Sequence, residues 1–454
     1  MRSKLAMLGW VLCLIAPSAH AAIEVETSSI GHGVKAWYAT NDSVPVIDVV
    51  ISFEGAGYAS DPEGKAGRAA FAASMLTEGA GDMDSAAFRR AMDEKAITIN
   101  ASTDEDRLKI HIYGLREHAL RAGQLVALAI KSPLLAEADQ ARMKADLSSM
   151  LARLEERPGY RASRLLTTRA YKGHPYASAP YGDAASLAAL TAQDVRDYLR
   201  TYVTRGNVLI AASGDVDASL LDDMLEPLVD ALTSNESGAV SVTQTTLAGS
   251  GETLRKTMDV PQTTILFAAP AIPRDDPRFY AQYVLNNILG GSALFSRLGE
   301  EVRQKKGLVY SIDTDLDIKR GSASIVGSLG TRNASANEAI AAVKQVLESM
   351  YRSGVTTQEC EDAKGYVTGA FARQLDGSSA VTNLLLAMQI HKLGENYVNE
   401  RAELFNKVNC GDINAVAADL LNPANFMFAV VGGDPATGGT GPIAPAATLH
   451  GDVK

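Results

Sequence analysis

Apolar positions recur every three to four residues over 66–79, 84–95, 115–131, 137–156, 159–171, 191–203 and 217–232, and again over 276–289, 292–305, 334–353, 357–373, 379–393 and 397–406. That period places the apolar side chains on one face of a helix, so each stretch predicts an amphipathic α-helix. Between them lie shorter runs rich in β-branched and aromatic residues: VPVIDVVISF from Val44, RLKIHIYG over 107–114, VPQTTILFAA from Val260 and SASIVGSL over 322–329. These read as strands. Residues 95–102 and 308–316 stand just before two of those runs, at the distance a hairpin needs. Helices and hairpins in this mixture predict an α+β fold rather than a doubly wound parallel sheet.

The order of these signals repeats. Val44-Pro45 is matched 216 residues later by Val260-Pro261. Asp194, Asn207, Ala211 and Gly214 are matched 218 residues later by Asp412, Asn425, Ala429 and Gly432. Several features at nearly one offset indicate an internal duplication. The expected architecture is therefore two homologous domains, 23–232 and 256–436, each a mostly antiparallel or mixed sheet packed with helices. Residues 233–255 are small and polar and read as a linker, and 437–454 is a Gly-, Pro- and Ala-rich tail.

Residues 1–22 join Arg2 and Lys4 to the apolar run Leu5–Pro17 and the small-x-small end Ala19-His20-Ala21. This is the layout of a cleaved secretory leader and predicts export, to a bacterial periplasm. The chain carries 43 Lys and Arg against 53 Asp and Glu, a net charge of −10. An acidic surface argues against nucleic acid as a partner, and no apolar run is long enough for a membrane anchor. After the leader, Cys360 and Cys410 remain. They fit either a disulfide or two small buried hydrophobes.

The two-fold layout resembles the pitrilysin and mitochondrial processing peptidase family of zinc peptidases. The resemblance rests on GYASDPEGKAGRAAFAASMLTEGAG (57–81), GHPYASAPYG (173–182) and SRLGEEVRQKKGLVYSI (296–312). In that family a helix of the first domain carries H-x-x-E-H: two His bind zinc, the Glu activates water, and a Glu further along completes the ligand set. The matching positions here are Ala70, Ala73, Ser74 and Met150. Alanine has no donor atom, and a neutral hydroxyl and a thioether are poor zinc ligands. Residues 33–110 contain no histidine, and no two of His32, His111, His118, His174, His391 and His450 are three or four residues apart. Each histidine reads as structural. The resemblance implies that this chain binds no cofactor and has a degenerate metal site.

The same family carries an R-(six residues)-Y pattern in its C-terminal half. Arg303 and Tyr310 match it, in a helix predicted from a Ser292 cap to about Lys305, a Gly307 stop and a strand from Leu308. By resemblance the pair makes substrate and transition-state contacts. Residues 98–104 match the segment that offers an edge strand to substrate peptide. Some family members divide the work between a zinc-bearing chain and a chain that has lost zinc. The resemblance thus implies a metal-free subunit of a heterodimeric periplasmic zinc peptidase, inactive alone. Its partner would be a homologous H-x-x-E-H chain supplying the zinc, and its substrate an unfolded peptide. A non-enzymatic peptide-binding or scaffold protein with the same fold is the alternative.

Overall fold

A computed structural model describes residues 23–234, 242–291 and 296–433. The predicted leader, the Ser292 cap, the tail and residues 235–241 of the linker lie outside the described residues.

The strands are β1 (Glu26–Ser29), β2 (Lys35–Thr40), β3 (Val46–Glu54), β4 (Thr98–Thr103), β5 (Arg107–Leu115), β6 (Val208–Gly214), β7 (Thr253–Thr257), β8 (Gln262–Pro270), β9 (Val309–Ile318), β10 (Ala323–Arg332) and β11 (Met427–Gly432). The helices of the first half are α1 (Arg68–Met75), α2 (Ser85–Asp93), α3 (Ala119–Lys131), α4 (Glu137–Glu155), α5 (Pro158–Ala170), α6 (Ala184–Ala189), α7 (Ala192–Tyr202) and α8 (Ala218–Ala231). Those of the second are α9 (Phe279–Asn286), α10 (Ala336–Ser353), α11 (Thr357–Phe371), α12 (Ser378–Ile390), α13 (Tyr397–Asn406) and α14 (Cys410–Leu420).

The strands form two sheets, in the orders β1-β2-β6-β3-β5-β4 and β7-β11-β8-β10-β9. In each, a single parallel pair, β2 with β6 or β7 with β11, sits in an otherwise antiparallel ladder. Strands β3 and β8 span positions 216 apart, so the offset read from the two Val-Pro pairs is a structural register. The repeated Asp has a local cause too. Thr191 and Asp194 form a capping box on α7, and Asn409 and Asp412 form one on α14, each satisfying otherwise orphaned N–H groups. The fold is the expected α+β duplication with mixed sheets.

Central strands such as β3 are buried almost throughout, because both sheet faces are covered. Val49, Ile51 and Phe53 face the main core with α3 and α8, whereas Val50 faces away from it. Each half lends a helix to the other. On α12, Leu385, Leu386 and Met388 cover Ala39, Val50 and Ala211 of the first sheet, and on α5, Ala162, Leu166 and Ala170 cover Leu266, Ala268, Met427 and Ala429 of the second. Each fully buried Leu or Met is worth about 1.5–3 kcal/mol, so the exchange binds the halves through apolar burial. Polar ties add to it: Ser213 Oγ donates to the Ser378 carbonyl at 2.7 Å and Thr382 Oγ1 to the Asp48 carbonyl at 3.2 Å.

The segment expected as a helix over 292–305 is different where it is described. Gly299–Lys305 winds as a π-helix, and the Ser296 hydroxyl accepts from the Gly299 N–H at 3.2 Å. It ends at Gly307, whose N–H donates to the Arg303 carbonyl at 3.1 Å. Cys360 on α11 and Cys410 on α14 are joined in a disulfide. No helix among the described residues is long and apolar enough to cross a membrane.

Candidate functional site

The positions where a metal site would lie converge on one cavity. Helix α1 is launched by Gly67, in a left-handed conformation at φ +86°, where an added Cβ would come within 2.7 Å of the Tyr181 carbonyl oxygen. The Asp61 carboxylate accepts from the Gly67 and Ala69 N–H groups at 2.9 and 3.0 Å, an anion at a helix N-terminus. Phe71 points into the core, and Ala70, Ala73 and Ser74 share another wall of the helix. Helix α4 adds Leu147 and Met150 three residues apart, and α5 adds Ser163, Leu166 and Thr167. The second sheet closes the space with Leu266, Phe267 and Val326. The cavity measures about 600 Å³.

This donor set does not fit zinc. Ala70 and Ala73 offer carbon only, and Met150 a thioether. The Ser74 hydroxyl donates to the Phe71 carbonyl at 2.8 Å, inside its own helix. Among the described residues no three His, Cys, Asp or Glu side chains form a group able to hold a metal ion.

The cavity does present a strand edge. β4 is the last strand of its sheet and pairs only with β5, and its Asn100–Thr103 line the cavity. One row of its backbone groups is therefore open to an extended chain. Beyond it come Asp104, Glu105, Asp317 and Lys319, which the sequence reading did not single out. Lys319 is a buried cation, its Nζ 2.8 Å from Glu105 and 2.8 Å from Asp317. Burial opposes its charge, but Asp317 and Glu105 outweigh it and hold the ammonium pKa well above the ordinary lysine range. Glu105 is likewise held below the usual carboxylate range by Lys319 in spite of its burial. Next to them Asp106 accepts from Tyr176 Oη at 2.7 Å and from the Arg320 N–H at 2.9 Å, and Tyr176 Oη accepts from the Gly321 N–H at 2.9 Å. The tips of the two corresponding hairpins, β4–β5 and β9–β10, thus interlock through charge and hydrogen bonds. The signal for this was the acidic tip Asp104-Glu105-Asp106, followed near the same offset by Lys319-Arg320.

Arg303 and Tyr310 lie side by side, the guanidinium carbon 5.6 Å from the ring centroid, and Tyr310 is 51% exposed. Neither lines the cavity. Tyr310 starts β9 whereas Asp317, near the strand's other end, reaches the cavity. Seven residues of strand put about 23 Å between them.

The histidines described are tied into the scaffold or lie on its surface. His111 Nε2 is 3.0 Å from a carboxylate oxygen of fully buried Asp48, which also accepts from Ser379. Against the effect of burial, those partners keep Asp48 below its ordinary pKa. His174 caps a short turn, accepting from the Tyr176 N–H, and His32 pairs with Asp230 at 2.9 Å. His118 stands 3.7 Å from Glu117. Burial, followed by Arg274 and Arg107, pushes His391 down to about 4.

Residues 189–366 match the family model described as peptidase M16 inactive domain. Related sequences cover most of the chain. The non-peptidase homolog YmxG of Helicobacter pylori is 25% identical over 73% of this chain and 76% of its own length. The uncharacterized zinc protease YmxG of Bacillus subtilis is 23% identical over 76% and 83%. Over residues 189–366 the chain is similar to the peptidase M16 inactive domain. The same fold is seen in a peptidase M16 inactive domain from Pseudomonas fluorescens, with a TM-score of 0.83 at 24% identity over 93% of this chain and 100% of that one. A protease from Helicobacter pylori gives 0.77 at 17% identity, covering 90% and 100%. A chain of complex III2 from Candida albicans gives 0.76 at 19%, covering 90% and 96%. The matched family model and the H. pylori relative are described as inactive or non-peptidase, and a non-catalytic role fits this fold.

Proposed function

We propose that this M16 chain is the metal-free subunit of an exported, periplasmic, heterodimeric zinc peptidase. It receives unfolded peptide along β4, and a homologous partner chain bearing H-x-x-E-H brings the zinc. The observation that carries this reading is the single cavity in which Ala70, Ala73, Ser74 and Met150 stand opposite an unpaired strand edge. The space has kept a peptide-sized shape and lost every ligand. Main-chain pairing at such an edge accepts many sequences, and the acids around it, Asp104, Glu105 and Asp317 against Lys319, favour peptides with basic side chains. In this reading Arg303 and Tyr310 meet substrate held between the two chains, not substrate inside this chain's own cavity. A guanidinium and a phenol can both donate to a peptide carbonyl.

The position of that pair, outside the cavity, also supports a second reading: a non-enzymatic peptide-binding or scaffold protein. The name non-peptidase homolog, given to the H. pylori relative, points the same way. Co-expression with an H-x-x-E-H homologue encoded nearby separates the two. The subunit reading expects a stable complex that cleaves a quenched peptide, with cleavage reduced at least tenfold by Arg303→Ala or Tyr310→Phe. A complex that forms and cleaves normally with both variants removes their assigned roles. A peptide-binding chain that joins no such homologue is a scaffold.

A further inference from the structure

A second cavity, of about 930 Å³, opens at the seam between the halves and has no part in the reading above. Its walls include the acids Glu54 and Asp275, the cations Arg274, Arg320 and Lys392, and His391. Cations outnumber acids around it. Arg107 and Arg320 approach a single oxygen of Glu54, at 3.6 and 4.0 Å. Arg107 is only 8% exposed, and its Nε has no hydrogen-bond partner. Arg274 makes no ion pair among the described residues. It lies over the rings of Phe279, Tyr280 and Tyr397, with its guanidinium carbon 4.3, 4.9 and 5.7 Å from their centroids, and donates to the two tyrosine hydroxyls at 3.2 and 3.4 Å. An aromatic box of this kind fixes a guanidinium in place without neutralising it. Desolvated positive charge is costly unless an anion compensates it, and a fixed guanidinium matches the two oxygens of a carboxylate or phosphate.

We propose that the seam cavity binds an oxyanion, a phosphate group or a peptide carboxylate, through Arg274 with Arg320 and Lys392. His391 adds a neutral imidazole at the same wall. The site is independent of the strand edge at β4, on the other side of Lys319, which lines both cavities.

Isothermal titration of the whole chain at fixed chloride tests this with three probes: sodium phosphate, N-acetyl-trialanine, and the C-terminal amide of that peptide. The expected result is saturable one-to-one binding of phosphate, or of the peptide acid and not its amide. The first assigns a phosphate site and the second a site for a chain end. Arg274→Gln should weaken binding at least tenfold and Lys392→Gln several-fold, whereas Lys407→Gln, an exposed side chain just past the end of α13 opposite to Tyr397, should leave it unchanged. Lys392 is exposed at the end of α12, so its variant keeps the test valid if Arg274→Gln fails to fold. The proposal is overturned if neither phosphate nor the peptide acid binds saturably, or if folded Lys392→Gln and Arg274→Gln bind as the wild type does.

Discussion

Replacing Lys319 with methionine probes how the two halves are held at the cavity. The side chain is 9% exposed and stands between Glu105 and Asp317, each 2.8 Å from Nζ. Methionine fills a similar volume but leaves two half-buried carboxylates without their cation. Removing one partner of a buried ion pair costs about 3–5 kcal/mol, chiefly because the remaining charge is stranded. With an unfolding entropy of about 2.1 cal/mol/K per residue over roughly 400 ordered residues, that loss lowers Tm by about 4–6 °C. Differential scanning calorimetry at pH 7 reads it directly. The triple variant Lys319→Met, Glu105→Gln, Asp317→Asn removes the stranded charges and should recover most of the loss. A fall in Tm below about 1 °C for the single variant, or a triple variant no better than the single one, would refute the view that charge locks these hairpin tips.

Other outcomes follow from the same geometry. Gly57→Ala would set a Cβ 2.2 Å from the Glu105 carbonyl carbon and oxygen, so it should destabilise by about 3 kcal/mol; denaturant midpoints equal to wild type would contradict this. His391 stays neutral in the folded chain down to about pH 4, while in the unfolded chain it takes up a proton near pH 6.5. The unfolded state therefore binds more protons in that window, and stability falls as pH drops through it, by about 2–3 kcal/mol at pH 4. His391→Phe should flatten that part of the urea-midpoint profile, and an unchanged slope would show that burial beside Arg274 and Arg107 is not its cause. Rebuilding the ligand set with Ala70→His, Ala73→Glu, Ser74→His and Met150→Glu should confer one bound zinc per chain after dialysis. Failure of a folded quadruple variant to retain metal would show that these positions do not converge as described.

Much of the fold was legible because it is written in local periods. The β3 and β8 runs, the capping Asp at 194 and 412, and the hairpins around 107–114 and 322–329 all follow from spacing and side-chain type. The cavity positions were legible only through the resemblance, since nothing in RAAFAASM by itself points to a site. What stayed hidden depends on distant packing. Amphipathic periodicity shows that α5 and α12 have an apolar face, but not that each covers the other half's sheet. The tip Asp104-Glu105-Asp106 has the composition of a solvated turn, and its burial comes from meeting Lys319 and Arg320 more than 200 residues away. Cys360 and Cys410 lie in α11 and α14, whose proximity the sequence does not state, so spacing alone does not decide their bond.

The central claim concerns donor chemistry: the cavity that would hold zinc has carbon, a satisfied hydroxyl and a thioether where ligands would stand. Metal analysis of the purified wild-type chain, dialysed after exposure to excess zinc and assayed alone on a quenched peptide, tests it most directly. The account predicts well under one zinc per chain and no turnover. One tightly held zinc per chain, accompanied by peptide cleavage, would contradict it.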